Sequence, residues 1–177
     1  MFFIVFPVSI PILSEPKIRT EFTFYNIYPD FKKDLEQEIR EQSPIVKNGV
    51  RYNGYTHWHV NWTFEWEERN GRCQISEVNT YLTVKYSMPR IPGNHRVSSE
   101  ARHSFDEYYD SLFKHEQGHR DSGLFAARDI RKVLASLGLF KDCNDLETVA
   151  NKTGEEIIQK YNKRDRDYDK KTNHGRL

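Results

Sequence analysis

Ser111-Leu112-Phe113-Lys114-His115-Glu116-Gln117-Gly118-His119-Arg120-Asp121 lies at the centre of the region on which the fold reading turns. Around it, Phe105, Tyr108, Tyr109, Leu112, Phe113, Leu124, Ala127, Ile130, Val133, Leu134 and Leu137 recur at spacings of three and four. That periodicity predicts one long amphipathic helix over about residues 99–139, with Gly123 as a point of kinking or division. Within it, His115 and His119 are four apart, so both imidazoles fall on one helical face and can reach one metal ion. Glu116 stands beside them, where a carboxylate can take a proton from water at the metal. With seven histidines in 177 residues, random placement gives about 0.02 H-E-x-x-H matches. The competing reading is a surface helix that carries two histidines and a glutamate by chance.

Working outward, the clearest strand precedes this helix. Trp58, Val60, Trp62, Phe64 and Trp66 alternate with His57, His59, Asn61, Thr63 and Glu65, the period of a strand with one buried face. Residues 67–71 form a turn. Val78, Thr80, Leu82, Val84 and Tyr86 then repeat the alternation, which predicts an antiparallel hairpin. Met88-Pro89 to Gly93 breaks the pattern. Upstream, residues 21–27 read as a short strand and residues 30–42 as a helix, with Asp30 as its cap and Phe31, Leu35 and Ile39 as its apolar stripe. Downstream, Asn144 to Glu147 resembles a capping box. A last helix follows to about Arg164, with Leu146, Val149, Thr153, Ile157 and Tyr161 inside, and then a mixed-charge tail over residues 165–177. The expected class is α+β: an N-terminal antiparallel sheet with one helix, the long H-E-x-x-H helix, and a C-terminal helix.

The length fits one domain, read here as residues 17–177. An aromatic content of 14% argues against disorder, and a net charge of +1 gives no electrostatic case for nucleic acid or an anionic membrane as partner. Residues 1–16 hold an apolar run of signal-peptide length, too short to span a membrane and without a basic start; export is the favoured expectation. Cys73 and Cys143 form no C-x-x-C pair. They can make one disulfide in an exported chain or stand as separate thiols, and spacing does not choose between these.

A catalytic zinc site needs a third protein ligand. The metzincin continuation would put Gly at position 122 and His at 125, where this chain has Ser122 and Phe125. Glu155 and Glu156 on the last helix are candidates, as is His174, the one histidine after the motif. Asp169 or Asp121 can accept the free N–H of a ligating imidazole, and Tyr168 or Tyr161 can donate to a developing oxyanion. His57 and His59 share the polar face of their strand, where facing water is favoured over chelation; an edge strand along the site would instead suit an extended peptide. His95 and His103 have no partner pattern. Trp58, Trp62 and Trp66 read as core.

Several segments together resemble the bacterial domain of unknown function 922 family, whose members are described as secreted zinc-dependent proteases. They are Gly54-Tyr55-Thr56-His57-Trp58-His59-Val60-Asn61-Trp62, Met88-Pro89, Phe113 to Asp121, and Tyr168-Asp169-Lys170-Lys171-Thr172-Asn173-His174-Gly175. The resemblance runs from about Tyr25 to Gly175 and includes one cysteine near the hairpin and one before the last helix. It implies a zincin-like, exported zinc metallopeptidase acting on a peptide or protein. In that reading His115, His119 and His174 are ligands and Glu116 is the base. Two other readings remain: a non-catalytic zinc-stabilised binding domain, with Asp169 closing the site as a fourth ligand, and an amidase acting on cell-wall peptide.

Overall fold

The computed structural model describes residues 14–172. The apolar stretch at residues 1–13 and His174 lie outside the described residues. The described chain runs β1 (Lys17–Asn26), α1 (Leu35–Gln42), β2 (Val46–Lys47), β3 (Val50–Arg51), β4 (Tyr55–Arg69), β5 (Arg72–Arg90), α2 (Ser99–Ala135) and α3 (Cys143–Lys171). The class is α+β, as the pattern predicts.

The hairpin of β4 and β5 is the frame. Its antiparallel ladder sets Trp58 opposite Val84 and Val60 opposite Leu82, and these four side chains are buried on the face that meets α2. Alternation thus becomes a core, with one face of the sheet covered and the other, bearing His57, His59 and Asn61, left in solvent. The ladder slips between Glu65 and Trp66, leaving Ser76 without a partner on β4. Beyond that bulge Trp66 is 44% exposed rather than core.

The sheet is mixed, not purely antiparallel. Strand order is β1-β5-β4, and β1 runs parallel to β5. β1 ends beside Arg90 and β4 begins beside Ser87, at the same end of the sheet; the chain passes through α1 and the small β2–β3 hairpin there, β4 carries it back, and β5 returns between the two, parallel to β1. Strand β5 also continues through Met88-Pro89, where a break was expected. β4 begins at Tyr55, opposite Ser87, and does not reach further along β5. Past that point β5 has β1 alone as a neighbour, and a proline is tolerated on the unpaired side.

Helix boundaries follow their caps. Asp30 accepts the Lys32 N–H (3.0 Å) and so builds a turn, while Asp34 caps α1 by accepting the Gln37 N–H (3.0 Å). The buried Glu38 holds the intervening loop through the N–H groups of Phe31 (3.3 Å) and Lys33 (3.2 Å). This is why α1 starts at Leu35 and not at Asp30. Ser98 caps α2, which runs unbroken through Gly123 to Ala135. Asp142 caps α3, whose buried face is Leu146, Ala150, Gly154 and Tyr161; Val149 is 38% exposed. The expected tail is helical as far as Lys171. Two basic residues in its last turn and the Lys163–Asp167 pair at spacing four (2.7 Å) support this polar extension.

A disulfide joins Cys73, at the start of β5, to Cys143, at the start of α3. Beside it Cys73 and Phe140 exchange backbone hydrogen bonds of 2.8 and 2.9 Å. The link closes a loop of 70 residues that contains all of α2. Replacing Cys143 by Ser is expected to lower unfolding free energy by about 2–4 kcal/mol in urea titrations. A change below about 0.5 kcal/mol would show that the bridge adds nothing to the packing around it.

Candidate metal centre

Helices α2 and α3 pack side by side, and their contacts pair residues in opposite chain order. His119 meets Asp165, His115 meets Asp169 and Thr172, and Asp129 meets Lys160 and Tyr161. The antiparallel alignment sets the histidines of α2, four apart, against two aspartates of α3 that are also four apart. Gly118 permits the close approach. A Cβ there would collide with the ring of Tyr168, which stacks on the His115 imidazole (5.0 Å between centroids, 14° between planes).

The convergent atoms are His115 Nε2, His119 Nε2 and Asp169 Oδ1. The two nitrogens are 3.2 Å apart, and Asp169 Oδ1 is 3.3 Å from His115 Nε2 and 3.1 Å from His119 Nε2. Ligands held about 2.0–2.2 Å from a tetrahedral zinc are about 3.3–3.6 Å apart. The edges of the triangle, 3.1–3.3 Å, lie at or just under the short end of that range, and among the described residues these three form a group able to share one metal ion. The other ring nitrogens are held from behind. His119 Nδ1 lies 3.1 Å from Asp165 Oδ1, and His115 Nδ1 lies 3.2 Å from Thr172 Oγ1. Such partners fix which nitrogen points forward. Asp165 is fixed in turn, because its Oδ2 accepts the Trp58 indole N–H at 3.0 Å. The chain Trp58–Asp165–His119 ties the sheet to the site.

Glu116 is buried one residue from His115. Thr56 on β4 donates to its Oε2 (2.6 Å). Gly54 leaves room for the other oxygen: a Cβ there would lie 2.7 Å from Oε1 and 3.1 Å from Leu112 Cδ1. Burial raises the Glu116 pKa above the ordinary carboxylate range, against the hydrogen bond from Thr56 and the nearby histidines. At His119, burial opposes the charged form, but the hydrogen bonds to Asp165 and Asp169 outweigh it and carry the pKa to about 10. Two imidazoles packed with three carboxylates form a pocket that favours positive charge, whether a proton or a metal ion.

His115, Glu116, His119, Asp165 and Asp169 line a cavity of about 330 Å³ whose other walls include Asn53, Gly54, Tyr55, Thr56 and Asn162. Of the residues singled out in the sequence, His115, Glu116, His119 and Asp169 meet here. Asp169 stands at the triangle itself rather than behind an imidazole. Tyr168 lies against the site, but its hydroxyl donates to the His115 carbonyl (3.2 Å). Tyr161 is elsewhere, donating to Asp129 (2.7 Å), and Asp121 is paired on the surface with Arg120 (3.0 Å). Glu155 and Glu156 do not line the cavity. His59 meets Asn61 Oδ1 (3.0 Å), His95 the Pro29 carbonyl (3.1 Å), and His103 pairs with Glu107 (3.4 Å).

Asp165, Thr172, Thr56 and the role of Trp58 were not anticipated. One signal pointed to Asp165: an aspartate pair at spacing four, matching the spacing of the histidines.

The fold and the site together define an α+β domain that presents a histidine–aspartate triangle beside a buried glutamate. The chain belongs to the family described as bacterial protein of unknown function (DUF922), whose model matches residues 22–175. No curated protein and no solved structure matches it.

Asp165→Asn keeps the size of the side chain and removes its charge behind His119. It is expected to weaken zinc binding about 10- to 100-fold, measured by competition with a chromogenic chelator. Unchanged affinity would mean that Asp165 does not support a ligand.

Proposed function

We propose that the protein is a zinc-dependent hydrolase of peptide bonds, with His115, His119 and Asp169 holding the metal and Glu116 as general base. The observation that carries this reading is the triangle of Nε2, Nε2 and Oδ1 at 3.1–3.3 Å set in an open cavity next to a buried carboxylate. Zinc held by these three residues would supply Lewis acidity, the chemistry that acidifies water and polarises a carbonyl. Glu116 stands where its carboxylate would take a proton from water and hand it to a leaving amine. Thr56 fixes one oxygen of the carboxylate and leaves the other to work.

Two histidines and one carboxylate also suit iron(II). The buried Glu116 favours zinc and hydrolysis, because a proton acceptor next to the metal serves water activation. A closed structural zinc site needs four protein ligands, and the described residues supply three around a cavity.

A substrate path extends from this cavity. Five residues of β4, His57, Trp58, His59, Val60 and Trp62, line a second groove of about 420 Å³ against Ile158 and Gln159 of α3. Residues from both faces of one strand can line one groove only along its edge, and β4 is an edge strand. Asn162 borders both spaces. An extended peptide adding to the β4 edge would run between strand and helix towards Glu116. The Cys73–Cys143 bridge favours an exported protein, because disulfides persist in oxidising compartments.

Glu116→Gln is expected to bind zinc with the wild-type stoichiometry and to lose about 10²- to 10⁴-fold in peptide hydrolysis. Retained turnover, or loss of the metal, would remove Glu116 from the role of base.

A further inference from the structure

The walls of the metal-site cavity also carry two cations, Lys47 from the end of β2 and Arg166 from α3. Among the described residues neither has a carboxylate within ion-pair distance. The Lys47 ammonium sits over the Tyr55 ring, 4.6 Å from its centroid. The acids beside Arg166 in sequence are engaged elsewhere. Asp165 serves Trp58 and His119, Asp167 pairs with Lys163 (2.7 Å), and Asp169 faces both histidines. The placement of Lys47 is fixed by its turn, where Asn48 and Gly49 take φ values of 50° and 78° and fold β2 tightly back on β3.

Both cations are exposed to solvent and stand at a cavity whose other charged walls are acids and imidazoles. Glu116, Asp165 and Asp169 make the cavity repel an incoming carboxylate unless positive charge on its walls offsets them. We propose that Lys47 and Arg166 form a carboxylate-recognition site, so that the substrate carries a carboxylate close to the bond that is attacked. The carboxylate is either the C-terminus of a peptide or an acidic side chain flanking the cleaved bond. Arg166 supplies a planar fork that donates to both oxygens, and Lys47 adds a point charge from β2. This inference rests on the hydrolase reading for the identity of the ligand, but the recognition itself does not require turnover.

The test is binding of fluorescein-labelled short peptides to zinc-loaded Glu116→Gln protein, followed by fluorescence anisotropy. One pair is an alanine-rich peptide with a free or an amidated C-terminus; a second pair, both amidated, differs by an internal Glu or Gln. In one pair or the other, the peptide with the carboxylate should bind about five- to tenfold more tightly. Adding Arg166→Ala or Lys47→Ala should abolish the preference, and Arg166→Lys should restore part of it. The first pair responds if the C-terminus is read, the second if a side chain is read. Equal binding within both pairs, no binding by any of the peptides, or a preference that survives both alanine variants overturns the proposal. If the preference holds while the wild-type protein cleaves none of these peptides, the carboxylate site stands and the hydrolase reading falls.

Discussion

The contact between His119 and Asp165 is the constraint on which the site depends. It joins three elements at once. Trp58 on β4 donates to Asp165 on α3, and Asp165 faces His119 on α2. Asp165 holds the rear nitrogen of the His119 ring, Nδ1, while Nε2 faces His115 and Asp169 in the triangle. The surrounding sequence accommodates this contact. Gly118 leaves a gap on α2 for Tyr168, and the Tyr168 ring presses against His115. The polar end of α3 stays helical far enough to bring Asp169 and Thr172 to the same histidine.

The packing also explains why so polar a cluster is tolerated next to a core. Apolar residues of the hairpin lie behind the motif, with Leu82 and Val84 fully buried, while the acids and imidazoles gather on the side that opens into the cavity. Partly buried carboxylates are costly unless matched by positive charge. A proton on His119 offers one match, and a divalent cation in the triangle offers a better one, because it draws on both imidazoles and Asp169 together. The same imbalance gives meaning to Lys47 and Arg166 at the cavity wall.

Much of the frame was legible in the sequence because it is written in apolar periodicity. Trp58 to Phe64 and Val78 to Tyr86 alternate strictly, and the long helix repeats at three and four. What escaped notice lacks such periodicity. Residues 165–171 are nearly all charged, so they read as a tail, although local ion pairs and Tyr168 keep them helical. The parallel placement of β1 depends on a crossover that no local pattern records. In the site, His115, Glu116 and His119 announce themselves by spacing. Asp165 shares only the spacing of four with Asp169, and Thr56 has no such signal, because their roles arise from how α2, α3 and β4 meet. Trp58 reads as an apolar body in the alternation, which carries no sign of the hydrogen bond its indole N–H makes to Asp165. Asp169 reads in the sequence either as a support for an imidazole or as a further ligand, and its carboxylate stands within 3.3 Å of both Nε2 atoms.

The measurement closest to the central claim is the zinc bound per chain at equilibrium, by dialysis and elemental analysis, for the wild type and for Asp169→Ala. The account predicts about one zinc per wild-type chain, and loss or severe weakening of binding in the variant while circular dichroism shows the fold intact. Wild-type protein that takes up no zinc, or full zinc retained in Asp169→Ala, would contradict the triangle of His115, His119 and Asp169 as the metal centre.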